Sequence, residues 1–333
     1  MKIDTSGIHK ILIIQYQPFG DVLLNTGYLP ALRKKFPTAR IDFLVRKPYH
    51  NAILNNPNLD NLIIFQNGEG LHYFMKRLQL IKSIRSNKYD LVIDQLRSTG
   101  SAQISLFSGA RYRLGFDHQR WKFVYNVRVK RKEIRYYSAM KFDLLEPLGI
   151  YEQEHSLFIH IEKKSSAYIE NWLQENNLID KKLVCISPGS PVKTKQWAAK
   201  CFASLGDKII SDLKASVILI WGPKEKTDAL TVKNLMKEKA NLAPPTDFNQ
   251  AAAMLKKCRL LICNDGGLNH LSVATQTPSI AIFSKHKPTR WSPAGVFKNH
   301  FHFYGPDNIN TKGDNSFGID IDEVFQKVKS IIN

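Results

Sequence analysis

Residues 260–283 read LLICNDGGLNHLSVATQTPSIAIF. The stretch opens with an aliphatic run at 260–263, passes through an acidic, glycine-containing turn, continues as a helical pattern at 268–275 and closes on a second aliphatic run at 279–283. Short aliphatic runs on either side of a helix are typical of a βαβ unit, in which the two strands are parallel. The stretch therefore predicts an α/β fold.

The turn of this unit holds Asp265, Gly266 and Gly267. Two glycines at the start of a helix expose backbone N–H groups without a Cβ, so a diphosphate can approach the backbone closely. His270 follows one turn into the helix, where it is either packed on the helix face or a further contact to phosphate or sugar. We predict that these four residues belong to a diphosphate-binding loop.

The same alternation of strands and helices occurs twice along the chain. In the first half, strands are predicted at 11–15, 41–46, 62–65 and 91–94, with helices at 22–35, 49–55 and 71–87. In the second half, strands are predicted at 183–187 and 217–221 and helices at 198–211, 224–239 and 249–257, before the unit at 260–283. Two such series predict two Rossmann-like domains with parallel sheets that face each other across a ligand-binding cleft.

The domain boundary is expected in a polar passage near residue 155, which gives domains at 1–155 and 156–318 and a packing helix at 319–333. The closing segment has apolar residues on one helical face, and Asp322 is its predicted N-cap. Asp320 and Asp322 also form a DxD pair of the kind that binds metal ions. Capping accounts for the pair better, so we expect no metal site there.

The chain of 333 residues is strongly basic, with 48 lysines and arginines against 29 acidic residues and a net charge of +19. Such a charge attracts polyanions, whether nucleic acid, anionic membrane or phosphorylated substrate. No apolar run approaches the ~18 residues that span a bilayer, and the N-terminus lacks the features of a secretory signal, so we expect a cytoplasmic protein. The four scattered cysteines are expected to be reduced and mostly buried.

Gly20 and Asp21 follow the first predicted strand. Gly20 permits a tight turn, and Asp21 stands at the start of the next helix. Its carboxylate is either the N-cap of that helix or a base that takes a proton from a hydroxyl nucleophile in the cleft. Neither GxGxxG nor GxxxxGK[ST] occurs, which argues against a dinucleotide-binding domain and a P-loop.

The loop ISPGSPVKTKQW at 186–197 follows the first strand of the second half. It combines backbone N–H groups, a hydroxyl and two cations, supplied by Gly189, Ser190, Lys193 and Lys195. This combination predicts an anion site, with a solvated lysine-rich turn as the alternative. After the next strand, Gly222 is expected at the turn and Glu225 is placed to accept hydrogen bonds from a ribose or base.

Residues 111–141 concentrate positive charge, with ten lysines and arginines against Asp117 and Glu133. Seven aromatic residues are interleaved with them: Tyr112, Phe116, Trp121, Phe123, Tyr125, Tyr136 and Tyr137. Such a segment is typical of a surface that meets an anionic membrane, with a solvated basic face as the alternative. Single-stranded nucleic acid also suits this composition, but no nucleic-acid-binding signature occurs, so we expect no nucleic-acid partner.

Three segments, in this order and spacing, resemble the bacterial heptosyltransferases of glycosyltransferase family nine: GDVLLNTGYLPALRKKFPTARIDFLV at 20–45, PGSPVKTKQW at 188–197 and NDGGLNHLSVATQTPSIAIF at 264–283. The resemblance covers nearly the whole chain. It implies a GT-B fold with the acceptor on the first domain and the nucleotide sugar on the second. It also implies transfer of heptose from ADP-heptose to the lipopolysaccharide inner core. Use of another nucleotide sugar and a non-catalytic nucleotide-sugar-binding relative remain alternatives.

The resemblance assigns roles to individual residues. It places the catalytic aspartate at Asp21, a phosphate-contacting lysine at Lys195 and a small hydroxyl residue at Ser190. The family's Asp-Thr-Gly-x-x-His loop falls on Asp265, Gly266, Gly267 and His270, with Gly266 in the place of threonine. On the acceptor or membrane side we expect Gly20, Arg111, Arg113, Arg120 and Lys122.

The reaction that these roles imply is an inverting transfer. Asp21 deprotonates the acceptor hydroxyl while Lys195 and the glycine loop stabilise the departing diphosphate, so no cofactor and no metal ion are expected. The expected partners are ADP-heptose, a phosphorylated lipid or oligosaccharide acceptor and the anionic cytoplasmic face of the inner membrane.

Overall fold

A computed structural model describes residues 3–66, 70–96, 98–117, 121–284, 287–305 and 315–333. The chain divides into two compact units, Met1–His160 and Ile161–Asn333. The described residues of each unit form a six-stranded sheet in which every pair of neighbouring strands is parallel. The predicted α/β class, with two parallel sheets, is confirmed.

Both sheets have the same topology. The first has the order β3-β2-β1-β4-β5-β6, with strands β1 Lys10–Ile14, β2 Arg40–Arg46, β3 Asn61–Phe65, β4 Leu91–Asp94, β5 Tyr112–Phe116 and β6 Val127–Val129. The second has the order β12-β11-β10-β7-β8-β9, with strands β7 Leu183–Ser187, β8 Ser216–Leu219, β9 Asn241–Leu242, β10 Leu260–Asn264, β11 Ser279–Phe283 and β12 His300–Tyr304. The strand order reverses direction at the central pairs, β1–β4 and β7–β10. Open α/β sheets bind ligands at the carboxyl ends of such pairs.

Helices connect the strands. Those of the first unit are α1 Phe19–Leu23, α2 Leu29–Lys35, α3 Gly70–Ser86, α4 Thr99–Phe107 and α5 Tyr137–Met140. Those of the second are α6 Lys163–Glu175, α7 Ala199–Leu213, α8 Lys226–Leu235, α9 Phe248–Lys257, α10 Gly267–Thr275 and α11 Ile321–Ile332. Short 3-10 helices lie at Leu24–Gly27, Tyr49–Ala52, Lys122–Val124, Phe142–Leu148, Lys193–Lys195 and Pro288–Arg290.

The closing helix α11 packs on the core of the second unit. Val324, Phe325 and Val328 are buried, as the apolar face of the sequence predicts. The predicted cap, however, is wrong by two residues: the carboxylate of Asp320 accepts the backbone N–H of Asp322 at 2.8 Å. Asp322 lies inside the first turn, where its side chain pairs with Lys208.

The helix predicted at 22–35 is broken. It consists of α1, a 3-10 turn and α2, because two polar side chains bond back to the backbone: Asn25 donates to the carbonyl of Asp21 at 2.6 Å, and the Thr26 hydroxyl donates to that of Leu23 at 2.7 Å. Gly27 also lies so close to His155 that a Cβ there would approach its ring to 2.8 Å. Local side-chain bonds and this close approach compete with a continuous helix.

Strands β5, β6, β9 and β12 and helices α4, α5 and α6 are absent from the elements that the sequence predicts. β9 has only two residues, and β5 contains Arg113 and Gly115 in place of an unbroken apolar run. Gly115 leaves room for the ring of Tyr125, whose hydroxyl donates to the buried carboxylate of Asp94 at 2.6 Å. Tyr125 of the basic segment is therefore a core residue beside β5.

We expect Gly115→Ala to destabilise the protein by about 1–3 kcal/mol, because overpacking a core costs that much. The new Cβ would lie 2.5 Å from the Tyr125 ring and would displace it from Asp94. Chemical denaturation monitored by circular dichroism measures the change. Gly7→Ala is the matched control, since a Cβ at Gly7 meets no atom within 4 Å. Equal stability of both variants would contradict the packing described for Tyr125.

Candidate functional site

Three of the predicted loops lie side by side at the carboxyl edge of the second sheet. They follow β7, β8 and β10, and β7 pairs with both of the other strands. The loop after β7 holds Lys195, the loop after β8 holds Glu225 just before α8, and the loop after β10 leads into α10. The topology thus brings together Lys195 and Asp265, which are 70 positions apart in the sequence.

An ion pair joins the loop after β7 to the loop after β10. Lys195 Nζ lies 2.6 Å from Asp265 Oδ2, and the lysine and aspartate side chains are 32% and 12% exposed. An ammonium has three donors, and this bond uses one of them. Lys195 is therefore fixed at the central strand pair with donors left for a further anion.

The neighbouring Asn264 holds the same loop in place. Its Oδ1 accepts the backbone N–H of Trp197 at 2.9 Å, and its Nδ2 donates to the carbonyl of Pro188 at 2.8 Å. Sequence reasoning missed this residue. The available signal was a polar amide at the end of an apolar strand, directly before the Asp-Gly-Gly turn, where a buried amide needs partners.

The two lysines of the loop differ in their surroundings. Lys193 Nζ pairs with Asp228 of α8 at 2.7 Å and its side chain is 72% exposed. Gln196 also donates to Asp228, at 2.8 Å, and to the carbonyl of Ser190, at 2.9 Å. Lys193 thus contacts α8, whereas Lys195 contacts the turn before α10. The composition of the loop gives no reason to separate them, whereas the resemblance to family nine singles out Lys195.

Gly266 and Gly267 begin α10, and neither glycine is required by the packing of the described residues. Gly266 has an extended backbone that any residue adopts, with φ 179°. A Cβ at Gly266 would come no closer than 3.9 Å to Asn264, and one at Gly267 no closer than 3.8 Å to Phe248. The space in front of this helix start is open, as a ligand held by the backbone requires.

Gly189 and Gly222 make room for Glu225. A Cβ at Gly189 would lie 2.7 Å from the Glu225 Cβ, and one at Gly222 would lie 2.9 Å from its Oε2. The Gly222 N–H donates to this oxygen at 3.1 Å. Burial raises the pKa of Glu225, against the opposing effect of this hydrogen bond. Both glycines therefore position a half-buried carboxylate beside the Lys195 loop.

Ser190 and His270 are both largely buried. The Ser190 hydroxyl accepts the Val192 N–H at 3.3 Å. The His270 ring lies 6.1 Å from that of Trp291, and burial lowers its pKa to about 4. At neutral pH the imidazole is uncharged, so any contact that His270 makes with a ligand is that of a neutral ring.

Asp21 lies after β1, at the central pair of the first sheet. It is the third residue of α1, whose N-cap position is occupied by Pro18. The capping interpretation of Asp21 is therefore wrong. A carboxylate in the first turn interacts favourably with the helix dipole, and the side chain is half-buried. Gly20 precedes it within the same helix.

The basic segment 111–141 differs from the surface that its composition predicts. Five of its seven aromatic side chains are buried: Tyr112, Phe116, Tyr125, Tyr136 and Tyr137. Arg113 donates to the carbonyls of Val124 and Ala110, and Arg111 lies over the ring of Tyr112. Lys122 is exposed, and Arg120 lies outside the described residues.

The described residues contain no cluster of three or more His, Cys, Asp or Glu side chains that could hold a metal ion. Within the same residues, no helix is long and apolar enough to cross a membrane. The polar groups gathered at the second sheet are thus a cation, backbone N–H groups and carboxylates.

Comparisons with known proteins identify the family of this chain. The pattern of glycosyltransferase family 9 (heptosyltransferase) matches residues 77–313. Lipooligosaccharide heptosyltransferase 2 of Haemophilus ducreyi is 25% identical over 306 residues, which cover 85% of this chain and 86% of the relative.

Two solved structures have the same fold. A family 9 glycosyl transferase from Veillonella parvula matches with a TM-score of 0.88 at 23% identity, covering 100% of this chain and 98% of the other. An Escherichia coli heptosyltransferase with ADP-2-deoxy-2-fluoro heptose matches with a TM-score of 0.75 at 17% identity, covering 96% of this chain and 99% of the other. The likeness supports the same two-sheet architecture.

We expect acid to destabilise the wild-type protein more than a His270→Gln variant. The unfolded histidine takes up a proton near pH 6.5, but the folded one does so only near its pKa of about 4. Between these values the unfolded state binds more protons, so the free energy of unfolding falls as the pH falls. The difference between the two proteins amounts to roughly 2–3 kcal/mol between pH 7 and pH 4. Urea unfolding curves across this range measure it, and parallel pH profiles would contradict a buried neutral His270.

Proposed function

Because this chain belongs to glycosyltransferase family 9, the heptosyltransferase family, we propose that it transfers heptose from ADP-heptose to an acceptor of the lipopolysaccharide core. The observation that carries the proposal is the Lys195–Asp265 pair beside the open glycine turn of α10. Lipopolysaccharide and lipooligosaccharide heptosyltransferases among the relatives supply the substrate class.

The second unit binds the donor in this proposal. The diphosphate lies against the N-terminal turn of α10, where Gly266 and Gly267 present N–H groups and where no Cβ obstructs the approach. Lys195 supplies the cation, held at 2.6 Å by Asp265. Glu225 and Gly222 lie on the nucleoside side, with Ser190 and His270 as further contacts.

Asp21 of the first unit acts as the base. It accepts the proton of the acceptor hydroxyl as that oxygen bonds to the anomeric carbon, and the bond from this carbon to the diphosphate breaks. Attack from the face opposite the leaving group inverts the anomeric configuration. Negative charge develops on the diphosphate, and fixed donors that face it stabilise the transition state without reorganisation. Lys195 and the helix N-terminus do the work of a divalent metal ion, so the transfer is metal-independent.

The acceptor completes the proposal. The first unit binds it, at the carboxyl edge of a sheet whose central loop carries Gly20 and Asp21. The acceptor is a phosphorylated lipid or oligosaccharide at the cytoplasmic face of the inner membrane. The basic excess of this unit, with 24 lysines and arginines against 13 acidic residues in 1–160, suits such an anionic substrate.

A second candidate is transfer from a different nucleotide sugar by the same mechanism. It is favoured by Gly266, which lacks the hydroxyl that threonine supplies at the corresponding position of the resembled family. A panel of ADP, UDP, GDP and dTDP in a thermal-shift assay separates the two candidates, since preference for ADP supports ADP-heptose.

We expect ADP to raise the melting temperature of the wild-type protein and to raise that of a Lys195→Met variant far less. At 100 times its dissociation constant a ligand stabilises a protein by about 2.7 kcal/mol, and loss of a charge-assisted contact of about 1.5–3 kcal/mol weakens binding roughly tenfold or more. Isothermal titration calorimetry measures the affinity directly. Lys193→Met is the matched control, because Lys193 pairs with Asp228 instead. Equal losses in both variants would contradict the role of Lys195.

We expect Asp21→Asn to reduce turnover by about 10²–10⁴-fold, because removal of a general base has an effect of this size. Binding of ADP should remain unchanged, and EDTA should leave wild-type transfer intact. Transfer is measured with radiolabelled donor and a lipopolysaccharide acceptor that lacks the heptose. The control is Asp4→Asn, an exposed carboxylate of the same unit. Near-normal turnover of Asp21→Asn, or loss of transfer in EDTA, would refute the mechanism.

A further inference from the structure

The outer face of α3 exposes apolar side chains that the fold does not use. Phe74, Met75 and Leu78 are 56%, 48% and 43% exposed. The opposite side of the helix, with Leu80, Ile81 and Ile84, packs against the core of the first sheet. With 3.6 residues per turn, positions 74, 75 and 78 fall within one arc of the helix. Three large apolar side chains thus face solvent together.

Cations continue this arc towards the end of the helix. Lys82 lies one turn after Leu78, and Arg85 lies close to one turn further. We call these five residues, Phe74, Met75, Leu78, Lys82 and Arg85, the α3 face. The helix has no acidic residue, and no ion pair found in the described part of the chain involves it.

Hydrogen bonds join the helix to α4 while its outer face stays exposed. Arg77 points inward, and its Nη2 donates to the carbonyl of Gly100 at 2.6 Å and to Gln103 of α4 at 3.1 Å. At the other end, Arg85 donates to the carbonyl of Phe107 at 3.4 Å. Phe107 and its neighbour Leu106 are themselves exposed, so the apolar surface extends from α3 onto the end of α4.

We propose that the α3 face docks the protein on an anionic lipid bilayer. Phe74, Met75 and Leu78 enter the boundary between headgroups and acyl chains, and Lys82 and Arg85 contact lipid phosphates. A helix with apolar residues and cations but no acidic residue is suited to this position, because each cation near an anionic surface contributes attraction in addition to apolar burial. Apolar patches of this kind mark interaction sites.

Charge and exposure favour this face over the basic segment 111–141. In that segment most aromatic side chains are buried, and Lys132 and Arg135 are paired with acidic residues: Glu146 in the first case, Asp143 and Glu152 in the second. The cations of α3 have no such counter-charges among the described residues. Their charge is available to lipid phosphates.

The inference deepens the proposed function, since it rests on an acceptor that is anchored in the membrane. Docking of the first unit, which carries Asp21, would bring the base to the surface where such an acceptor lies. Vesicle binding by itself requires no sugar transfer. The two proposals can therefore fail separately.

The test is co-sedimentation of the full chain with two kinds of vesicle, one of phosphatidylglycerol and phosphatidylethanolamine and one of phosphatidylcholine alone. We expect binding only to the anionic vesicles. Phe74→Ser/Met75→Ser/Leu78→Ser should reduce binding by about tenfold or more, because partitioning scales with the apolar area inserted. Lys82→Gln/Arg85→Gln should weaken binding and reduce its dependence on anionic lipid. The matched control is Ile179→Ser/Leu235→Ser, which removes two apolar side chains of the second unit that are 54% and 52% exposed.

Melting temperature and ADP binding show that each variant is folded. Unchanged vesicle binding by the α3 triple variant would overturn the proposal, as would equal binding to phosphatidylcholine or an equal loss in the control. Loss of binding in Lys122→Gln/Phe123→Ser with full binding by the α3 variant would also overturn it. A protein that binds vesicles through α3 but transfers no heptose would contradict the proposed function and leave the docking surface intact.

Discussion

The site of the second unit depends on the hydrogen bonds of the Asn264 side-chain amide. This amide is buried at the carboxyl end of β10, and it bonds to both ends of the loop that follows β7, at Pro188 and Trp197. A buried amide is costly unless both of its polar atoms are paired, so the loop is confined to one arrangement. Lys195 lies two residues before Trp197 and Asp265 directly follows Asn264, so the ion pair is a consequence of this contact.

Much of this architecture could be predicted from local patterns. The strands at 183–187, 260–263 and 279–283 are aliphatic runs, and the order of the two series along the chain is enough to predict two parallel sheets. Predictions from hydrophobic patterns fail where polar side chains bond to the local backbone or where a strand is not aliphatic. Asn25 and Thr26 interrupt a helix that the apolar spacing predicts to be continuous, and β12 alternates histidine with aromatic residues in place of aliphatic ones. The predicted N-cap of α11 is wrong by two residues, because Asp320 and Asp322 are both suitable N-cap residues.

At the site, the sequence indicates which loops carry polar groups, but it does not indicate the hydrogen-bond or ion-pair partner of each group. Lys193 and Lys195 are chemically alike. The family resemblance singles out Lys195, but the partner of each lysine follows only from the tertiary positions of Asp228 and Asp265. Gly189 and Gly222 leave space for the side chain of Glu225, and this contact cannot be read from the sequence. The composition of 111–141 wrongly predicts exposed aromatic side chains. Aromatic residues next to cations also suit a segment whose aromatic side chains enter the core while its cations stay at the surface.

In the proposed reaction, the pairing of Lys195 with Asp265 has a consequence for the release of the nucleoside diphosphate. A lysine without a partner would hold a free nucleoside diphosphate tightly and slow its departure. Here the carboxylate of Asp265 competes for the same ammonium and is always present at full effective concentration. A phosphate bound to the remaining donors shares the ammonium with this carboxylate, so its attraction to the lysine is weaker than it would be to an unpaired one. Asp265 therefore lowers the affinity of Lys195 for the nucleoside diphosphate and speeds its release.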